Sequence, residues 1–122
     1  MIKVPSFLLK RLYVKGSLRN TEEGFEFRLK NSLGSGYAHG LLPLKINGEE
    51  IPVENATFAV DGKQVPFPEV TKESPASLSM NREAVIAVRG HKLDGGPTRV
   101  SMGFVVGGLG ELTFDLTDKP AA

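Results

Sequence analysis

Two histidines provide the only imidazoles in the sequence, and they are the first candidates for metal binding or general-base chemistry. We expect His39 and His91 to lie on separate loops, and neither has a second ligand at a spacing typical of a metal site. A loop histidine with no such neighbour usually faces solvent. We therefore predict no metal ligand and no general base at either position.

Carboxylates and glycine-rich segments are the other places where the sequence could support catalysis. Glu49 and Glu50 are adjacent, but a glycosidase needs two carboxylates about 5–10 Å apart that face a cleft. The segment 34–40 is rich in glycine, yet no βαβ pattern surrounds it as a dinucleotide site requires. With no cysteine and no Ser/His/Asp set, we predict no catalytic residue and no cofactor in this chain.

The segment 37–41 is the best candidate for a contact surface. It places an aromatic ring and an imidazole beside glycine, a combination that is typical of an interface or a ligand rim. We expect this surface to contain Tyr37, His39, Gly40 and Leu41, together with Phe104. In the alternative interpretation, Tyr37 only caps one end of the fold.

Length and charge limit the class of protein. A chain of 122 residues predicts a single domain, residues 1–122, with one core. The net charge is +1 and there is no basic stripe, so we expect neither nucleic acid nor a membrane as a partner. Lys10 and Arg11 interrupt the N-terminal apolar run before it reaches the length of a signal peptide, which predicts a cytoplasmic protein.

A repeated turn motif organises the middle of the sequence. Asn47-Gly48 and Asp61-Gly62 stand fourteen residues apart, each between two short apolar segments. These dipeptides readily adopt the positive φ angles of a type I′ turn, whose twist matches that of the adjoining strands. The motif predicts two successive β-hairpins.

Alternating apolar residues predict further strands. Residues 24–30 and 112–116 alternate strictly, whereas 84–89 has the β-branched composition of a central strand. Further strands are expected at 41–46, where Pro43 implies an edge or a bulge, and at 78–80 and 99–106. With eight or nine short strands in all, the pattern predicts an all-β fold, an antiparallel β-sandwich.

The remaining segments are harder to assign. Residues 7–14 fit either a short helix or a strand, and we favour a strand because Tyr13 and Val14 suit β structure. We interpret residues 31–40 as a flexible loop and residues 117–122 as a frayed tail.

Five of these segments, in order, carry a family resemblance. They are Gly24–Leu29, Tyr37–Leu41, Ile46–Ile51, Phe58–Lys63 and the ending Gly110–Asp115. Their succession resembles the small β-subunit of bacterial C-glycoside deglycosidases, a β-sandwich that packs against a larger catalytic subunit.

The resemblance implies a function for the chain. It implies a lyase-type enzyme that cleaves the carbon–carbon bond between a 3-oxo-glucosyl ring and an aromatic aglycone such as a flavonoid. The partner would be a barrel-type large (α) subunit that binds most of the substrate and holds a divalent metal, expected to be manganese. This chain would be the non-catalytic subunit, stabilising its partner and shaping the active-site mouth.

Two other classes of protein remain as alternatives. The first is a free-standing carbohydrate-binding or scaffold β-sandwich without an enzyme partner. Such sugar-binding modules display exposed aromatics, whereas this chain has no Trp and only two Tyr, and most of its seven Phe are on predicted core faces. The second is a small hydrolase, for which no catalytic set can be assembled.

Overall fold

A computed structural model describes residues 5–32, 36–78 and 80–121, and its main elements are short strands. The strands are β1 (Arg19–Asn20), β2 (Gly24–Lys30), β3 (Gly36–Leu41), β4 (Lys45–Ile46), β5 (Glu49–Glu50), β6 (Ala56–Val60), β7 (Lys63–Pro66), β8 (Ala76–Leu78), β9 (Glu83–Arg89), β10 (Thr98–Val106) and β11 (Gly110–Asp118). The count within the described residues exceeds the predicted eight or nine because β1 and most of β3 form where no strand was expected.

The strands form two antiparallel sheets. The first sheet has the order β1-β2-β9-β6-β7. In the second sheet, β10 pairs with β11 along one edge and with both β3 and β4 along the other, while β8 extends β3 and β5 extends β4. The predicted fold class, an antiparallel β-sandwich, is confirmed.

The core lies between the inner faces of the two sheets. Phe25, Phe27 and Leu29 of β2 are each at most 3% exposed, as their strict alternation predicts. Val100 and Met102 of β10 face them from the second sheet. Each large apolar side chain buried in this way stabilises the fold by roughly 1.5–3 kcal/mol.

Both predicted hairpin turns are present, but they belong to different sheets. Asn47 and Gly48 have φ angles of 51° and 88°, and Asp61 and Gly62 have φ angles of 54° and 81°, as a type I′ turn requires. The first turn joins β4 to β5 in the second sheet, and the second joins β6 to β7 in the first sheet. The chain therefore crosses the sandwich between the two hairpins.

The predicted strand at residues 7–14 is wrong. The segment instead forms a helical turn, α1 (Ser6–Leu9), followed by a 3₁₀ turn at Lys10–Leu12. The Pro5 carbonyl accepts hydrogen bonds from the backbone N–H groups of Leu8 and Leu9. Helical spacing places Leu9 and Leu12 on one face, where both are buried in the core.

No helix in the described part of the chain is long and apolar enough to cross a membrane.

The predicted loop at residues 31–40 is also partly wrong, because its second half is strand β3. Residues 33–35 of that loop lie outside the described residues. The prediction that Pro43 marks an edge or a bulge is consistent with the structure, since the strand pairing with β10 is interrupted at residues 42–44, between β3 and β4. Proline has no N–H to donate to a ladder, so the chain leaves β3 and resumes pairing at β4.

The strand β8 and the end of strand β11 lie at positions different from those predicted. The strand expected at 78–80 is found at Ala76–Leu78, and Ser79 lies outside the described residues. The tail expected to fray from residue 117 instead continues β11 through Asp118. Beyond it, the Ala121 N–H donates to the Leu18 carbonyl at 2.8 Å, which ties the C-terminal segment to the start of the chain. Ala122 is not among the described residues.

Candidate functional site

The predicted contact residues lie together on the ladder between β3 and β10. Leu41 is paired with Phe104, and Gly40 with Val105. The next pair is Ala38 with Val106, so the register skips His39. Such an extra residue is a β-bulge, a feature that re-aims side chains and is over-represented next to functional sites.

Three of the predicted residues contribute to the outer face of this ladder. The Tyr37 side chain is 62% exposed, although its backbone is paired with Ser77 of β8. The half-buried His39 ring lies over Gly107, where an added Cβ would come within 2.6 Å of the ring Cε1 atom. We call the outer surface formed by Tyr37, His39, Gly40, Val105 and Gly107 the Tyr37 surface.

The other two predicted residues support this surface from the opposite side of the sheet. Leu41 and Phe104 are both partly buried against the hydrophobic core. The Phe104 ring meets the Phe114 ring edge-on, with centroids 6.5 Å apart. The structure therefore brings all five predicted residues together but divides them between the two faces of one sheet, and their role as an interface stays a prediction.

The two histidines do not come together. His39 is in β3 of the second sheet, whereas the half-buried His91 follows β9 of the first sheet and contacts the Phe25 ring edge-on at 6.1 Å. Within residues 5–32, 36–78 and 80–121, no three His, Cys, Asp or Glu side chains are grouped as a metal site would need. Glu49 and Glu50 form the exposed strand β5.

A hydrogen-bond network that no sequence pattern indicated joins the N-terminal segment to the last strand. The Tyr13 hydroxyl donates to Asp118 Oδ2 at 2.7 Å and accepts from the Leu18 N–H at 3.2 Å. The same Asp118 oxygen accepts from the Gly16 N–H at 2.9 Å. The partners are 105 residues apart in sequence, so no local spacing pattern could have indicated this contact.

The network changes the acidity of both side chains. Burial, and after it the hydrogen bond to Asp118, raises the pKa of Tyr13 to about 12. The Tyr13 hydroxyl and the Gly16 N–H hold the pKa of Asp118 below its ordinary value. A phenol that holds its proton so firmly is a poor acid or base near neutral pH, so the network is suited to stabilising the fold rather than to proton transfer.

A groove of about 220 Å³ lies between the edge strands β7 and β8, which belong to different sheets. We call it the edge groove; it is lined by Phe58, Val60, Lys63, Val65, Val70, Ser74, Pro75, Ala76 and Ser77. Phe58 and Val70 are buried, whereas Val60 and Val65 are half-buried. The predicted contact residues do not reach it.

Fold and surfaces together define a small antiparallel β-sandwich that presents an exposed aromatic ring on a bulged strand. Residues 8–120 match the family model described as hydroxymethylglutaryl-CoA reductase, N-terminal domain. Because the match spans most of the 122 residues, the chain belongs to this family. A search of curated proteins found no match to the chain.

The predicted resemblance to C-glycoside deglycosidase subunits is therefore wrong. The family match also contradicts the lyase activity on flavonoid C-glucosides, and nothing supports the alternative of a free-standing sugar-binding or scaffold protein. The segments that carried the resemblance are strands and type I′ turns, which many antiparallel sheets use, so they indicated the fold and not the family. The barrel-type partner and its manganese rested on that resemblance and stay untested predictions.

Proposed function

We propose that this chain serves a hydroxymethylglutaryl-CoA reductase as a docking domain. In this proposal the Tyr37 surface binds the part of the enzyme that carries out the reduction, and the chain contributes contacts rather than reacting groups. Membership of the reductase N-terminal domain family supports the choice of partner. The observation that carries the proposal is the 62% exposure of Tyr37 on a strand that is paired along both edges.

The Tyr37 surface is suited to binding because its backbone is held in place by neighbouring strands. Tyrosine has only two side-chain torsions, so burying its ring against a partner costs little conformational entropy for the area covered. The backbone beneath it is held by β10 on one edge and β8 on the other. Binding through a strand that is already ordered avoids the cost of fixing a flexible loop.

Charge around this surface adds a second requirement on the partner. Glu111 of β11 lies directly opposite Val105 in the register of the second sheet, and its side chain is exposed. Among the described residues it makes no ion pair. A complementary surface would therefore combine an apolar pocket for the Tyr37 ring with a cation opposite Glu111.

The proposal includes a cytoplasmic location. Its support is the cysteine-free sequence, which can fold without an oxidising compartment.

The test measures binding of the full chain to the catalytic part of the hydroxymethylglutaryl-CoA reductase from the same organism. Tyr37→Ala should raise the dissociation constant by about tenfold or more, because a central aromatic residue commonly contributes more than 1 kcal/mol to an interface. Phe7→Ala is the matched control, since Phe7 is 68% exposed but lies on α1, which packs against β11 rather than β3.

The rate of hydroxymethylglutaryl-CoA reduction gives a second readout. We expect the wild-type chain to change this rate and Tyr37→Ala to need a higher concentration for the same effect. Equal affinities of the Tyr37 and Phe7 variants would contradict the assignment of the surface. Absence of binding by the wild-type chain would contradict the proposed function itself.

A further inference from the structure

The outer face of the first sheet carries no covering layer in the described part of the chain. Its central strand, β9, has its main contacts with β2 on one side and β6 on the other, while α1 packs against β11 of the second sheet. The 3₁₀ turn at Phe67–Glu69 contacts β3 and β6 and buries Phe67 in the core, so it lies on the inner side. The outer face is therefore open to a binding partner.

Strand β9 presents its outward side chains in a symmetrical order. Every second residue of β9 is buried in the core, so the residues between them point outwards. These are Glu83, Val85, Ala87 and Arg89, which gives the order acid, apolar, apolar, base. A second copy lying in the opposite direction presents base, apolar, apolar, acid, which complements the first copy at each position.

Strand β2 has the same property about the same centre. Its outward residues Glu26 and Arg28 lie on either side of the buried Phe27, and Phe27 is paired with Ile86 at the middle of β9. A two-fold axis along this row, across the strands, would place Glu26 of each copy opposite Arg28 of the other. Two neighbouring strands are thus complementary to themselves in one arrangement.

The centre of the face is apolar and has short side chains. Val85 and Ala87 of β9 are paired with Ala59 and Thr57 of β6, and all four residues are half-buried. Sheets that pack face to face lie about 10 Å apart, and short side chains allow this approach without steric conflict.

The charges at the ends of β9 remain accessible to a second copy. Glu83 pairs with Arg28 at 3.6 Å, but their side chains are still 45% and 49% exposed. Arg89 donates to the Glu54 carbonyl at 3.0 Å and makes no ion pair among the described residues. Each end of β9 therefore offers a charged group to a partner.

Two further cations lie at the margin of the face. Arg19 pairs with Glu26 of its own chain at 3.3 Å. Lys30 at the end of β2 would lie opposite Gly24 of the second copy, which has no side chain to oppose it. Neither cation faces another in this arrangement.

The area of the face suits a dimer that dissociates on dilution. Strands about 4.8 Å apart that rise about 3.4 Å per residue give the five strands a face of roughly 500 Å². Two copies would then bury roughly 1,000 Å² in total, which is at the lower limit for a specific interface.

We propose that the outer face of the first sheet binds a second copy of this chain and forms a dimer with two-fold symmetry. The two β9 strands stack in opposite directions, so that Glu83 of each copy meets Arg89 of the other and the apolar centres pack together. Stacking in the same direction would bring Glu83 against Glu83, so the charges select the register. The dimer leaves the Tyr37 surface free, because that surface is on the second sheet, and it does not depend on the proposed reductase partner.

Sedimentation velocity of the full chain tests this dimer. The wild type should change from monomer to dimer as its concentration rises from about 1 μM to about 1 mM. Glu83→Arg and Arg89→Glu should each raise the dissociation constant at least about tenfold, because each variant brings two pairs of like charges together. Both residues are exposed, so the variants should fold like the wild type.

Mixing the two charge-reversed variants is the decisive comparison. In a mixed dimer each contact at the ends of β9 again joins one acid and one base, so an equimolar mixture should dimerise about as well as the wild type. Asp115→Arg is the matched control, because Asp115 is exposed on the outer face of the second sheet, and it should leave dimerisation unchanged.

Three results would overturn the proposal. The first is a wild-type chain that stays monomeric up to about 1 mM, which would leave the face to a different protein. The second is a mixture that dimerises no better than either variant alone. The third is a loss of dimer in Asp115→Arg as large as that in Arg89→Glu, which would place the contact on the second sheet.

Discussion

The Tyr13 hydroxyl donates a 2.7 Å hydrogen bond to Asp118 Oδ2 and so joins the segment after α1 to the last strand of the second sheet. Tyr13 also forms an isolated antiparallel bridge with Leu29 of β2, in the first sheet. One side chain and its backbone therefore connect both layers of the sandwich. The consequences for stability and for pH dependence can be measured directly.

Removal of the Tyr13 hydroxyl should destabilise the chain. Tyr13→Phe keeps the ring beside Phe27 but leaves the Leu18 N–H without its acceptor and Asp118 without its hydroxyl donor. We expect the free energy of unfolding to fall by about 1–2 kcal/mol, measured by urea denaturation. Tyr37→Phe is the control, because its hydroxyl makes no hydrogen bond among the described residues, and it should change stability by less than about 0.5 kcal/mol. Equal losses in the two variants would contradict the role of the network.

The contribution of Asp118 should disappear in acid. Because the folded state holds the pKa of Asp118 below its ordinary 3.8, the unfolded chain binds more protons there. The stabilisation is therefore present above about pH 4 and is lost as the pH falls through the lower pKa of the folded state. Urea denaturation should show Asp118→Asn less stable than wild type at about pH 6, with the difference shrinking below about pH 4.

A second carboxylate on the same strand provides the control for this experiment. Asp115→Asn removes an exposed acid that makes no ion pair within the described residues and leaves the Tyr13–Asp118 network intact, so it should change the free energy of unfolding at about pH 6 by less than about 0.5 kcal/mol. A stability difference between wild type and Asp118→Asn that stays constant from about pH 6 to pH 3 would contradict the prediction.

Titration of Tyr13 tests the same network from the alkaline side. The folded state raises the pKa of Tyr13 to about 12. The protonated phenol therefore contributes fully to folding stability below its ordinary pKa of 10.0, and this contribution is lost as the pH rises towards 12. In a Tyr37→Phe background Tyr13 is the only phenol, and its absorbance should report a midpoint near 12 while circular dichroism shows intact strands.

A second substitution separates the two causes of this shift. Adding Asp118→Asn should lower the Tyr13 midpoint only in part, because burial is the larger cause and remains. A midpoint near 10 in the folded Tyr37→Phe chain would show that the phenol is neither buried nor hydrogen-bonded as described.

Gly24 should tolerate no side chain. An added Cβ would lie 2.0 Å from the Val88 carbonyl oxygen and 3.1 Å from the His91 carbonyl oxygen, and backbone atoms of a central strand cannot move aside cheaply. We expect Gly24→Ala to lower the free energy of unfolding by about 2–4 kcal/mol in urea denaturation. Gly95→Ala is the matched control, because a Cβ there meets no atom within 4 Å, and a comparable loss at that position would exclude steric contact as the cause.

Local chemistry was sufficient to predict several elements. The Asn-Gly and Asp-Gly dipeptides determine their turns because positive φ angles are accessible to these residue types and to few others. Phe25, Phe27 and Leu29 determine the buried face of β2 because side chains alternate along any strand. These signals act over two to six residues, so sequence alone is enough to detect them.

Other features depended on contacts between distant segments. The apolar residues of 7–14 fit either a strand or a helix, and the β propensity of Tyr13 and Val14 favoured a strand, but burial of Leu9 and Leu12 in the core accompanies a helical turn. Pairing with β8 and β10 turns the supposed loop around Tyr37 into a strand, and the bulge at His39 exists only relative to β10. The family could not be inferred from turn and strand motifs, because unrelated sandwiches share them.

Residue types and their spacing along the chain were enough to predict short antiparallel strands, the positions of the tight turns and the apolar faces of the strands. The assignment of the two similar hairpins to opposite sheets, the contact of Tyr13 with Asp118 and the groove between β7 and β8 became visible only in the folded molecule. Alternation and turn propensity act between near neighbours, whereas sheet order and layer closure follow from the packing of the whole core.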